Sequence, residues 1–167
     1  MSEFSNQVAI VTGSTSGIGE ATARRLVGLG AKVMLNSSSS VEEGERLSSE
    51  LGDGVAYHQA DISDEDACLS LVNSTLDTFG RLDILVNNAG FTSVIPHNDL
   101  DGVTEEVFRR IIDVNIFGTW YLSRAAVPAL KVGGSGNIVN ISSIAGLRPV
   151  GSSIPYSISK AGVNQMT

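Results

Sequence analysis

VAIVTGSTSGIGEATARRLVGLGAKVMLN (8–36) is the stretch on which the fold turns. Its first six residues, VAIVTG (8–13), make a compact apolar run ending in glycine, the pattern of a strand buried on both faces. Across 19–30 the spacing becomes helical, with Ala23, Leu26, Val27 and Gly30 on one face and Arg24 and Arg25 on the other. Gly30 supplies the stop, and AKVMLN (31–36) begins a second strand. Between the first strand and the helix lies TGSTSGIG (12–19), with glycines at 13, 17 and 19. A strand, a glycine turn and a helix start in that order aim free amides and the positive end of a helix dipole at one point, where a pyrophosphate can sit. The same turn without a ligand is a tight strand-to-helix connection.

The rest of the chain repeats the alternation. A serine run (37–40) leads into a helical stretch at 41–51, and VAYHQAD (55–61) reads as a third strand. Ser63, with Asp66 three residues on, resembles a capping box for a helix over 64–79. LDILVNNAG (82–90) is a fourth strand, a long helix is expected over 104–130, and GNIVNISS (136–143) is a fifth strand. A Gly/Ser/Pro-rich loop then precedes a last helix that starts near Pro155. Strands alternating with helices imply parallel strands joined by right-handed crossovers. The expected architecture is α/β: a doubly wound parallel sheet in three α/β/α layers, forming one domain over 1–167.

Composition narrows the partners. The formal charge is −7 and no basic cluster exceeds a pair, so phosphate backbones and anionic membranes are repelled and nucleic acid is not an expected partner. Eighteen glycines in 167 residues exceed the usual ~7% and suit tight turns or backbone close to a ligand. Cys68 is the single cysteine, so no internal disulfide forms. With only His58 and His97 beside it, a structural zinc site is not expected. The polar start and the lack of an 18-residue apolar run point to a cytoplasmic protein with no membrane partner.

Read in order, TGSTSGIG (12–19), LVNNAG (85–90), Asn115 in DVNIFG, NISS (140–143) and YSISK (156–160) resemble the short-chain dehydrogenase/reductase family. The likeness covers essentially the whole chain. It implies a Rossmann-like NAD(P)-binding fold and the interconversion of secondary alcohols and ketones. By position it implies a catalytic set of Asn115, Ser143, Tyr156 and Lys160, with Ser143 preferred to Ser142 because it stands 13 residues before Tyr156. It further implies cofactor contacts from Gly13, Thr15, Ser16, Gly17, Ile18 and Gly19, then Ser37 and Ser38. Asp61 (near the adenine), Ile62, Asn88, Ala89 and Gly90, and Tyr156 and Lys160 themselves complete the set.

The chemistry fits those residue types without a metal. Tyr156 and Lys160 stand at i and i+4 and so share a helix face, where a cation and a helix N-terminus both favour a phenolate. The resemblance gives Lys160 the cofactor ribose as well, gives Asn115 a water linking that lysine to solvent, and leaves Ser143 to orient the substrate oxygen. In the family an acid just past the second strand selects NAD. Ser37 and Ser38 stand there instead, which leans to NADP(H) over NAD(H), although no basic residue stands at those positions.

Phe117, Trp120 and Tyr121 are expected in the core or a subunit interface, and a homodimer or homotetramer is expected of the full-length form. Relatives continue past Thr167, so the chain is expected to lack the family's C-terminal third, to expose its fifth strand as an edge, and to turn over poorly by itself. The rival reading is a catalytically impaired or non-catalytic dinucleotide-binding module. A sugar-nucleotide epimerase is a weaker third, because NNAG and NISS fit it poorly.

Overall fold

β1 (Val8–Val11) is buried at every position, with β2 (Lys32–Ser37) on one side and β4 (Ile84–Asn87) on the other. A computed structural model describes residues 3–167 of the chain. The sheet has five parallel strands in the order β3-β2-β1-β4-β5, with β3 at Val55–Gln59 and β5 at Asn137–Asn140. Alternation along the strands separates two cores. Ala9, Val11, Val33, Leu35, Ile84 and Val86 pack with Ala23 of α1 (Gly17–Gly28) and Leu47 of α2 (Val41–Leu51). Ile10, Met34 and Leu85 point the other way, onto Leu71 and Val72 of α3 (Glu65–Phe79) and Leu122 and Ala126. A sheet apolar on both faces demands helices on both, which produces the three layers expected from the alternation.

Three details depart from expectation. Asp64, not Ser63, caps α3: its Oδ1 accepts the Ala67 N–H at 2.9 Å. Ser63 is instead drawn to Asp61, whose Oδ1 accepts its N–H and its hydroxyl. The stretch expected as one helix over 104–130 is α4 (Glu105–Ile112), a π-helical turn (Asp113–Gly118) and α5 (Thr119–Val132). One widened turn preserves the apolar stripe on either side of it, so periodicity does not betray it. The fourth and fifth strands are also shorter than expected, because their C-terminal residues bend away into the loops that build the site. Thr104 caps α4 through its side chain.

β5 is an edge strand, with Val139 exposed. Ser143 begins a 3-10 turn (Ile144–Gly146), and α6 (Ile154–Met166) packs against that turn, α4 and the π turn. Phe117 and Trp120 are 43% and 51% exposed, which removes them from the core; Phe117 stacks on Tyr121 at 5.7 Å. Among the described residues no helix is long and apolar enough to cross a membrane.

Candidate active site

The strand order reverses between β1 and β4, so the loops at their carboxyl ends part and leave a crevice, the usual ligand position in open α/β sheets. A cleft of about 450 Å³ lies there. Gly13, Thr15, Ser16, Gly17 and Ile18 form one wall; Ser37 and Ser38 close one side, and Asp61, Ile62, Asn88, Ala89 and Gly90 line the rest. Twelve of the expected cofactor residues therefore share one cavity.

Backbone demands explain the glycines. Gly13 and Gly17 adopt φ of +59° and +57°, which L side chains rarely do. A Cβ on Gly13 would lie 3.0 Å from Ala89 Cα, and one on Gly19 would lie 2.3 Å from the Gly13 oxygen. Gly19 does not line the cleft; it is buried beneath the turn and lets α1 start close behind it. Ser16 is the N-cap of α1, yet its side chain makes no capping bond. The first amides of α1 are thus left without a side-chain acceptor beside an open cavity, and this cradle fits the diphosphate of a dinucleotide.

Asn88 builds the cleft more than it reaches into it. Its Nδ2 donates to the Thr12 and Gly13 carbonyls, and Thr12 Oγ1 accepts the Asn88 and Ala89 N–H groups. Ser37 is buried, and its hydroxyl pairs with the Tyr57 hydroxyl at 2.8 Å, whereas Ser38 is exposed. Arg110, for which no local sequence signal exists, also lines the cleft and binds Asp61 Oδ2 at 2.9 Å. Asn36 and Phe91, equally unmarked in the sequence, line it as well. Asn36 ties the end of β2 to β3 and the residue just beyond it, donating to the His58 and Ala60 carbonyls.

Tyr156 and Lys160 stand in the first two turns of α6, with Lys160 Nζ 5.7 Å from the Tyr156 ring centroid. Lys160 is 5% exposed, and its ammonium donates to the Ile141 carbonyl at 2.7 Å. Burial pushes its pKa below the ordinary lysine value. A methyl added at Gly90 would sit 3.7 Å from Lys160 Nζ and 3.3 Å from Asn115 Oδ1. Gly90 belongs to the cleft wall, so the lysine stands at the end of that cavity.

Asn115, in the π turn, is a clasp. Its Oδ1 accepts the Phe91 N–H at 2.7 Å, and its Nδ2 donates to the Phe91 carbonyl and to Ser159 Oγ. Both amide hydrogens are taken, so this side chain can meet a water only as an acceptor. Ser143 lies three residues beyond β5 rather than at its end, and its Oγ accepts the Ala145 N–H at 3.1 Å. Its own hydrogen stays available. Ser142 is committed elsewhere, donating to the Lys160 carbonyl. Among the described residues no group of three His, Cys, Asp or Glu side chains is placed to hold a metal ion.

The sequence model described as short chain dehydrogenase matches residues 7–167. A Streptomyces violaceoruber protein named as ketoacyl reductase 2 of the granaticin polyketide synthase is 50% identical over 96% of this chain and 64% of its own length. The 7alpha-hydroxysteroid dehydrogenase of Bacteroides fragilis is 33% identical over 100% of this chain and 65% of its own length. A crystal structure of a short-chain dehydrogenase/reductase from Burkholderia xenovorans superimposes with a TM-score of 0.90 at 36% identity, covering 96% of this chain and 69% of that one. The chain therefore spans slightly under two thirds of the two curated relatives.

Proposed function

The chain belongs to the short-chain dehydrogenase family, and from that premise we propose that it interconverts a secondary alcohol and a ketone with NAD(P)(H), using Tyr156 as acid/base. The observation that carries this reading is the juxtaposition of the Tyr156–Lys160 pair with the glycine-turn cleft through Gly90. Gly13, Gly17 and the amides opening α1 would hold the diphosphate, and Asp61 and Ile62 would flank the adenine. The nicotinamide, when bound, would supply or accept the hydride.

In the reducing direction Tyr156 gives its hydroxyl proton to the carbonyl oxygen; in the oxidising direction it takes the alcohol proton. The Lys160 ammonium stands one helical turn on, its Nζ 5.7 Å from the centre of the Tyr156 ring, so a cation faces the ring from which the proton leaves. Ser143 uses its lone pair on Ala145 and keeps its O–H free, so it can donate to the same substrate oxygen and fix its orientation. Asn115 holds the Phe91 backbone against α6, which keeps the wall beside Lys160 in place.

NADP(H) is the preferred partner in this reading. β2 ends in Asn36 and Ser37, with Ser38 next, so no carboxylate stands there to repel a 2′-phosphate. The exposed Phe117 and Trp120 suit a homo-oligomer. A ketoacyl substrate is the class to test first, by likeness to the granaticin relative.

The test is a screen of β-ketoacyl thioesters, ketosteroids and small secondary alcohols, following NADPH and NADH absorbance. Turnover of a ketone or alcohol is expected, faster with NADPH. Dinucleotide binding with no turnover of any of them would favour a non-catalytic binding module.

A further inference from the structure

Of the residues lining the cleft, two carry charge, Asp61 and Arg110, and they bind each other. Arg110 comes from α4, 49 residues later in the chain. Its Nη2 donates to Asp61 Oδ2 at 2.9 Å and its Nη1 to Ser63 Oγ at 2.8 Å, while its guanidinium lies 6.0 Å from the centre of the Phe91 ring. Ser63 in turn donates its N–H and its hydroxyl to Asp61 Oδ1. The carboxylate is therefore fixed by donors on both oxygens, and the Phe91 ring lies beside the guanidinium.

We propose that Arg110 is a positioning residue for nucleotide binding: it neutralises and orients the one acid in the cleft wall, so that a polyanionic ligand meets no unpaired negative charge there. The inference rests on the dinucleotide reading of this cleft. The physical need is plain in a chain of formal charge −7. A dinucleotide diphosphate is already anionic, and a 2′-phosphate adds to it, so a lone carboxylate facing the same cavity opposes binding. With Arg110 present, Asp61 keeps one free lone pair on Oδ2 in a set direction, able to accept from a nucleobase amino group, without contributing net charge. Arg110 also belongs to the helix that leads into the π turn, and Asn115 of that turn clasps the backbone of Phe91. The same continuous helical segment thereby holds the Phe91 backbone and lies beside its ring.

The test is equilibrium binding of NADP+, NAD+ and ADP-ribose to the protein, with melting temperature measured alongside. R110Q should weaken NADP+ binding by about tenfold, the effect of stranding one charged partner, with a smaller loss for NAD+. The loss should shrink as salt rises. R110K should stay within about threefold of the parent, and D61N/R110Q should recover most of the affinity that R110Q loses, because the carboxylate needing neutralisation is gone. Affinity in R110Q within twofold of the parent, or a D61N/R110Q double variant as weak as R110Q, overturns the inference and leaves the proposed function standing. Absence of dinucleotide binding by the unaltered protein overturns both.

Discussion

Lys160 Nζ is held between the Ile141 carbonyl, 2.7 Å away, and the Tyr156 ring, whose centroid is 5.7 Å away. A buried ammonium with one carbonyl partner is an expensive feature, since burying a charge disfavours the charged form, and its pKa is accordingly pushed down. The fold maintains that cost at the one place where a cation beside a phenol is chemically useful.

This makes stability depend on pH in a definite direction. Between the lowered folded pKa of Lys160 and the ordinary lysine value near ~10.4, the unfolded chain binds more protons than the folded one, so this residue makes stability rise with pH. K160M, neutral throughout, should gain most over the parent at low pH, and its relative advantage should decline as pH rises into that window. Urea titrations of both proteins across pH measure it; a difference independent of pH would remove the buried-ammonium account.

The same direction has a different cause at the far end of the sheet, where a carboxylate stabilises the fold rather than an ammonium costing it. Asp83 is 2% exposed; burial works to raise its pKa, but hydrogen bonds from Arg81 and the Val8 N–H outweigh that and hold it below the usual carboxylate value. Its stabilisation is present above the unfolded pKa near ~3.9 and is lost as pH falls through the lower folded one. D83N should cost about 2 kcal/mol at neutral pH and show a smaller further loss on acidification than the parent. Thermal melts at pH 7 and pH 3 compare the two.

Two glycines of the same turn should fail for different reasons. At Gly17 a methyl meets nothing within 4 Å, so G17A carries only the strain of φ +57°, about 1 kcal/mol. At Gly19 the methyl collides with the Gly13 carbonyl and Asn88 Nδ2, so α1 must shift, at about 2–3 kcal/mol. G19A should therefore lose more stability and more dinucleotide affinity than G17A. Equal losses in melting temperature would contradict the steric reading.

The serine pair separates in the same way. S143A removes a hydroxyl whose hydrogen is free for substrate and should lower kcat by about 10²-fold. S142A removes a bond to the Lys160 carbonyl and should act mainly on stability. Steady-state kinetics with melting temperatures distinguish them; a larger kcat loss in S142A would reverse the assignment.

The glycine turn, the alternation of elements and the Tyr156–Lys160 pair were legible in the sequence because each is a local signal, complete within a few residues. Contacts between distant residues were not. Nothing around Arg110 indicates that Asp61 faces it across 49 positions, and nothing around Ser37 indicates that the Tyr57 hydroxyl takes its own. Ser63 and Asp64 are both good caps and adjacent; the tertiary pull of Asp61 on Ser63 decides between them. The π turn at Asp113–Gly118 left no mark on the periodicity, yet it is the segment from which Asn115 reaches both Phe91 and Ser159.

The central claim is that the phenol of Tyr156 moves the proton while the cleft independently holds the dinucleotide. Y156F tests it in one paired measurement, turnover and NADP(H) affinity on the same preparation. The account expects kcat to fall by at least about 10³-fold with dinucleotide affinity within a few-fold of the parent. Turnover within tenfold of the parent would contradict it.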